Sequence, residues 1–301
     1  MHTWRRLNRS CSSIYIVAAA ATVLCFPLLA GADADPWDEL PPPPARLSKR
    51  PVPDDLEQLR CQYTREQIAL LEKLNRTDAS HLIRLGEITV PDRWDFRKLD
   101  YSPLPAKWSW ARGKQKTLLV HQPSQVFGAH ENGRLVRWGP VSSGSSKRPT
   151  PPGIYHLNWK SRGRRSTVNP QWYLAWYFNF INEHGISFHQ FALPGHPASH
   201  GCIRLLERDA RWLYQWGEQW KLDESGMLVQ RQGTPVWIMD SYPYRKSPAW
   251  HSKQYVADGG RIRLNGGRDE DTSVVLAAGK PPRRKAATPV ENGGGQRAGN
   301  I

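Results

Sequence analysis

Between residues 116 and 239 the chain breaks into short β-prone runs joined by tight turns, a pattern that points to a mainly β fold. The first two runs are 117–121 and 125–130. Glu131-Asn132-Gly133 follows, and Asn and Gly tolerate the positive φ that a type I′ turn needs at both central positions, so a hairpin returns through 135–142. Pro149-Thr150-Pro151-Pro152-Gly153 makes a rigid turn ahead of 154–159. A Ser, Arg and Gly segment, 161–166, reads as a loop, after which the aromatic run 172–180 and the run 186–190 regain strand character. Past residue 202 the period lengthens. Ala210, Leu213, Trp216 and Trp220 recur at helical spacing behind Glu207, Arg208 and Asp209, and 236–239 closes as a strand.

The flanks read differently. Of 301 residues, 25 are proline and 24 glycine, gathered mostly toward the two ends, and only 39% are hydrophobic. The folded part is therefore expected to be about two thirds of the chain. Basic residues between Trp4 and Arg9, an apolar run 14–30 broken by Pro27, and the small residues Ala30-Gly31-Ala32 describe an export signal over 1–32 rather than a stable membrane span. Residues 33–59, with Pro41 to Pro44, read as a semi-rigid spacer, and 241–301 as a basic, largely disordered tail.

Export places the protein in the periplasm or cell wall and changes the meaning of its cysteines. Cys11 and Cys25 leave with the signal, so Cys61 and Cys202 remain. Cys61 is expected to be a buried free thiol rather than the disulfide partner of Cys202. A net charge of +15 favours polyanions. An exported protein seldom meets nucleic acid, so the carboxylates of a bacterial wall are the expected counterpart.

The segment 60–92 carries its own pattern. Thr64-Arg65-Glu66-Gln67 is a capping box that opens a helix bearing Ile68, Leu71 and Leu74 on one face. Asp78 caps a second short helix with Leu82 and Ile83, and 88–90 reads as a strand ended by Pro91. With Cys61-Gln62-Tyr63 as a first strand, the segment becomes a small βααβ unit, and 93–115 becomes a connector.

The chemistry concentrates between His189 and Arg204. Cys202 follows Ser199-His200-Gly201, and His189 ends a predicted strand 13 residues upstream. A thiol of pKa about 8.5 is mostly protonated at neutral pH, so a nucleophilic cysteine needs a base and donors for an oxyanion. His189 suits the base because a strand end fixes an imidazole; His200 and Gly201 suit the oxyanion through their backbone N–H groups. Arg204 is placed to hold a substrate carboxylate, with Ser199 and Tyr177 as further substrate contacts. A zinc site of His189, His196, His200 and Cys202 is the rival, but its spacing fits no standard pattern, and no metal or cofactor is expected.

Val141-Ser142-Ser143-Gly144, Thr150-Pro151-Pro152-Gly153, His189 and Ser199-His200-Gly201-Cys202-Ile203-Arg204, in this order, resemble the YkuD-type L,D-transpeptidase catalytic domain over about 116–240. Gln190 after the histidine and a short loop to the cysteine depart from the family pattern. The residues Gln67-Ile68-Ala69-Leu70-Leu71-Glu72-Lys73-Leu74-Asn75-Arg76-Thr77-Asp78 with Leu82-Ile83-Arg84-Leu85-Gly86-Glu87-Ile88-Thr89-Val90-Pro91 resemble a LysM glycan-binding module. The first resemblance implies a β-sandwich with a helix after the nucleophile. It also implies that Cys202 forms a thioester with wall stem tetrapeptides, releasing D-alanine, with a second stem, an outer-envelope protein or water as acceptor. The competing expectations are a non-catalytic wall-binding protein and an L,D-carboxypeptidase.

Overall fold

The computed structural model describes residues 46–94, 97–257, 259–262 and 264. The residues read as an export signal, the first part of the expected spacer and the expected tail from 265 lie outside these residues. None of the described helices is long and apolar enough to cross a membrane.

The chain opens with β1 (Leu47–Pro51), α1 (Leu56–Gln62), α2 (Arg65–Asn75), α3 (Ala79–Leu82) and β2 (Glu87–Pro91). β1 and β2 pair antiparallel, from Leu47 opposite Pro91 to Pro51 opposite Glu87. The expected capping box is present: the Gln67 N–H donates to Thr64 Oγ1 and the Thr64 N–H to Gln67 Oε1. Asp78 caps α3. Asn75, buried at the end of α2, bonds both backbone groups of Thr89 and so pins helix to strand.

Three expectations are corrected in this region. Cys61 and Gln62 belong to α1, not to a strand; the first strand lies earlier, inside the segment read as spacer. Its sequence, Leu-Ser-Lys-Arg-Pro, lacks an apolar face because it is an edge strand paired on one side only. Cys61 itself is exposed on α1, and both it and Cys202 are free thiols.

The larger part consists of β3 (Lys116–His121), β4 (Val126–Glu131), β5 (Arg134–Ser142), β6 (Gly153–His156), β7 (Lys160–Arg165), β8 (Tyr173–Ile181), β9 (Ile186–Gln190), β10 (Ile203–Leu205), α4 (Glu207–Trp216), a small ribbon of β11 (Lys221–Leu222) and β12 (Val229–Arg231), and β13 (Pro235–Met239). Nine strands form one sheet in the order β6-β13-β3-β4-β5-β10-β9-β8-β7. Asn132 and Gly133 both take positive φ, 47° and 79°, which closes the β4–β5 hairpin as its sequence demands.

The sheet curls on itself. Tyr155 of β6, at one edge, meets Phe180 of β8, near the other, with ring centroids 5.7 Å apart. Leu118, Phe127, Val141, Phe178, Phe188 and Ile203 from six strands share the enclosed core, which α4 completes with Ala210 and Leu213. The fold is thus mainly β with a helix soon after Cys202. Trp220 lies beyond the end of that helix.

Two further expectations are corrected. Of residues 161–166, expected as a loop, all but Ser166 belong to the strand β7, paired with β8 from Lys160 opposite Phe178 to Arg165 opposite Tyr173. At the sheet edge, backbone pairing holds it without an apolar pattern. Residues 241–257 are not a disordered tail either. Tyr242 and Trp250 are buried, and α5 (Lys253–Ala257) follows. These aromatics hold the segment against the domain despite its polar composition.

The first helices are not a separate bead. Leu70 and Leu74 of α2 share a core with Trp138, Leu119, Val126 and Met239. Arg76 is fully buried and donates to the Ser124 carbonyl at 3.0 Å and to the Tyr255 hydroxyl at 2.6 Å. Buried Lys73, its pKa lowered to about 8 by burial, donates to the Trp138 carbonyl. Arg208 at the start of α4 pairs with Glu72.

Candidate active site

The parallel pairing of β9 with β10 builds the site. Ile203 lies opposite Phe188 and Arg204 opposite His189. Ile203, Leu205 and Phe188 go into the core, so by strand alternation Ser187, His189, Cys202 and Arg204 line up on the other face. That face opens into a groove whose walls include Cys202, His189, Arg204, Ser199 and Tyr177. The sequence-predicted side chains therefore converge.

Cys202 is half-buried. The Ser187 hydroxyl donates to its Sγ across 3.6 Å, and its S–H faces the Gly185 carbonyl at 4.0 Å. Burial raises the thiol pKa; the Ser187 hydrogen bonds and the charges of Arg204 and Arg164 oppose that rise. His189 is buried, and its pKa is lowered to about 4, chiefly by burial and further by Arg204. Its Nδ1 stands 2.9 Å from the Gln190 carbonyl, an acceptor only, so the proton of the neutral ring resides on Nδ1 and Nε2 carries the lone pair. Gln190, the departure from the family pattern, thus contributes its backbone. Among the described residues no hydrogen bond joins the thiol to the imidazole, whose Nε2 is free to accept one.

The turn ahead of Cys202 is tied at each residue. Gly201 has φ 108°, a conformation that favours glycine. Its N–H donates to Ser199 Oγ at 3.1 Å, and the Ser199 hydroxyl donates to the Cys202 carbonyl at 2.5 Å. Ser199 thereby shapes the loop, and the Gly201 N–H, expected as an oxyanion donor, is taken up within it. The Thr150 hydroxyl donates to the Gly201 carbonyl at 2.8 Å while accepting from the Gly144 N–H at 2.9 Å. Because this peptide is trans, the Cys202 N–H points away from Thr150. His200 packs its ring on Trp172 at 5.4 Å, and Tyr244 secures the Gly144 carbonyl at 2.6 Å.

Sequence reasoning missed several wall residues. Arg164 and Arg165 come from β7, which read as a loop, and reach the groove with Arg204. Arg164 lies over the rings of Trp159 and Tyr177, and Arg204 over Phe191 at 4.7 Å. Among the described residues none of these three guanidiniums has a carboxylate partner, so the groove is cationic. Ser187 was legible as the position two before His189 on the same strand face. Tyr177 donates its hydroxyl to the Gly185 carbonyl at 3.0 Å, which fixes it as a wall of the groove. No group of three or more His, Cys, Asp or Glu side chains among the described residues is placed to hold a metal ion.

Residues 115–238 match the family described as YkuD, the L,D-transpeptidase catalytic domain. No curated protein matches the chain. Solved structures that are similar include an L,D-transpeptidase from Stackebrandtia nassauensis, with 25% identity over 44% of this chain and 58% of that one and a TM-score of 0.36. Another is an L,D-transpeptidase from Mycobacterium tuberculosis H37Rv, with 22% identity over 51% and 72% and a TM-score of 0.34. A third, from Mycobacterium smegmatis, has 18% identity over 42% and 59% and a TM-score of 0.34. The chain spans about three fifths of the length of the first and third. The overlaps are partial, and the family match rests on the sequence of residues 115–238.

Proposed function

We propose that the protein is a peptidoglycan L,D-transpeptidase that works through a Cys202 thioester, a reading supported by the match of residues 115–238 to the YkuD L,D-transpeptidase catalytic domain. The observation that carries this reading is the shared groove of Cys202 and His189, with Nδ1 anchored on Gln190 and Nε2 left to accept a proton.

The donor is a stem tetrapeptide, its carboxylates held by Arg204 and Arg164. His189 Nε2 takes the thiol proton as the sulfur attacks the carbonyl carbon of the third stem residue. The oxyanion forms against the Cys202 N–H, with the His200 N–H beside it; Thr150 orients the first of these by holding the Gly201 carbonyl. A donor of this kind contributes about 3–4 kcal/mol when an oxyanion develops. The C–N bond to D-alanine then breaks, His189 protonates the leaving amine, and the thioester remains. An acceptor amine attacks it, loses its proton to His189, and the thiolate leaves and is reprotonated.

In the resting site both partners are neutral, since burial raises the thiol and lowers the imidazole. Proton transfer therefore accompanies donor binding rather than preceding it. Residues 47–91 place three helices between two paired strands, one helix more than the expected βααβ order, so a role in holding glycan near the site rests on the sequence resemblance alone. The export signal read in residues 1–32 puts the reaction outside the inner membrane.

Incubation of the purified protein with disaccharide-tetrapeptide, with products read by mass, tests the proposal. Crosslinked dimers or exchange of the terminal D-amino acid support transfer, and disaccharide-tripeptide identifies water as acceptor. An unchanged tetrapeptide pool contradicts catalysis and leaves a binding protein.

A further inference from the structure

The loop that joins His189 to Cys202 is held by residues that lie far outside the catalytic match. The Leu193 N–H donates to Asp78 Oδ2 at 2.7 Å. The Leu193 carbonyl accepts the Asp78 N–H at 3.1 Å and the Thr77 hydroxyl at 2.8 Å. Thr77 also forms an antiparallel bridge with Pro194. Both backbone groups of one loop residue are thus satisfied by a single corner between α2 and α3.

That corner is rigid. Asp78 Oδ1 accepts from the His81 N–H at 3.0 Å, the Ser80 hydroxyl at 2.6 Å and His81 Nδ1 at 2.8 Å. Thr77 is fully buried, and Arg76 just before it is locked to Ser124 and Tyr255. On the far side the loop is tied to β5 and the turn after it: the Ser142 hydroxyl donates to the His196 carbonyl at 2.7 Å, and the Ala198 and Ser199 N–H groups both reach the Ser143 carbonyl at 3.0 Å. The loop is therefore gripped at two places between the imidazole and the thiol.

We propose that Asp78 is a positioning residue for the Cys202–His189 pair, and that the α2–α3 corner is the rear wall of the active site rather than part of a detachable wall-binding module. The proposal rests on the reading of Cys202 as nucleophile. A loop only a dozen residues long transmits a displacement at Leu193 to Cys202, and misplacement of a reacting group by about 1 Å lowers a rate by about a hundredfold. A glycan held by residues 47–91 would then press on the same corner that fixes the nucleophile.

Asp78→Asn isolates the contact. Asparagine caps helices as well as aspartate does, and its Oδ1 keeps the bonds within α3. Its Nδ2, a donor, replaces the acceptor that faces the Leu193 N–H. The account expects the Leu193 amide to exchange slowly in the wild-type protein and at least about tenfold faster in D78N, and kcat for acyl transfer to fall by about tenfold with KM unchanged. Thr77→Val should stay near wild type, because the Asp78 N–H still occupies the Leu193 carbonyl.

A wild-type Leu193 amide that exchanges as fast as an open loop overturns the proposal, as does a D78N protein with fast exchange and undiminished kcat. Should D78N not fold, Asp78→Ser keeps a cap but is too short to reach Leu193, and the wild-type exchange rate decides the matter without any variant. Should the wild-type protein transfer no acyl group, the transpeptidase reading fails separately. Exchange at Leu193 together with iodoacetamide reactivity of Cys202, expected to rise in D78N, then decides the anchor, and both unchanged overturn it.

Discussion

Ser187 and Cys202 face one another across β9 and the head of β10, with the serine hydroxyl 3.6 Å from the sulfur. The contact holds the thiol against the strand next to the one it leads into and favours the thiolate, while burial disfavours it. Two residues along, His189 is held neutral by burial and by the neighbouring Arg204. The pair waits uncharged, and this has consequences for pH.

Alkylation of Cys202 by iodoacetamide reports the thiolate directly. Since burial raises the thiol above its ordinary value of about 8.5, the rate should still be climbing above that pH. Ser187→Ala removes a hydrogen bond to the charged form, worth about 1–2 kcal/mol, and should lower the rate at pH 8 by about five- to thirtyfold. A plateau reached below pH 8 would contradict the neutral resting pair.

On the proposed mechanism the acid limb of turnover belongs to His189. The base must be unprotonated, and its pKa of about 4 keeps it so through the neutral range. Acyl-enzyme formation should therefore hold its rate as pH falls through 6 and decline only near 4, read by single-turnover quench and mass analysis. A decline centred near 6.5 would show an imidazole of ordinary basicity.

In the proposed mechanism Arg204 serves two ends that can be separated. Its charge lowers both the thiol and the imidazole pKa, and its planar fork suits a carboxylate. Arg204→Met should raise KM for the tetrapeptide about tenfold or more and move the alkylation profile to higher pH. Arg204→Lys should restore the alkylation profile but not KM. Equal effects of the two substitutions would remove the fork from the account.

Much of this site is legible in the chain. The Asn132-Gly133 hairpin, the strand 186–190 and the helix behind Glu207 follow from turn chemistry and period, and these bring His189 and Cys202 to neighbouring strands. What escapes is what local pattern does not encode. β7 is polar because an edge strand needs no apolar face, and with it went Arg164 and Arg165. β1 is hidden for the same reason, so Cys61 was placed in a strand. The grip of Asp78 on Leu193 joins positions 115 apart in sequence, and only packing brings them together.

The shared core makes a prediction about stability. Leu74 of α2 is buried against residues of the nine-stranded sheet, so Leu74→Ala should cost about 2–5 kcal/mol. Calorimetry should show residues 47–91 and the sheet melting in one transition that moves as a whole. Two separate transitions, with only one displaced, would show independent units.

The most direct test is the intact mass of the protein during incubation with disaccharide-tetrapeptide. The account predicts a covalent adduct of disaccharide-tripeptide mass on Cys202, free D-alanine in at least equal amount, and neither in Cys202→Ala. An adduct that persists in Cys202→Ala, or D-alanine release without one in the wild-type protein under rapid quench, would contradict a thioester at this sulfur.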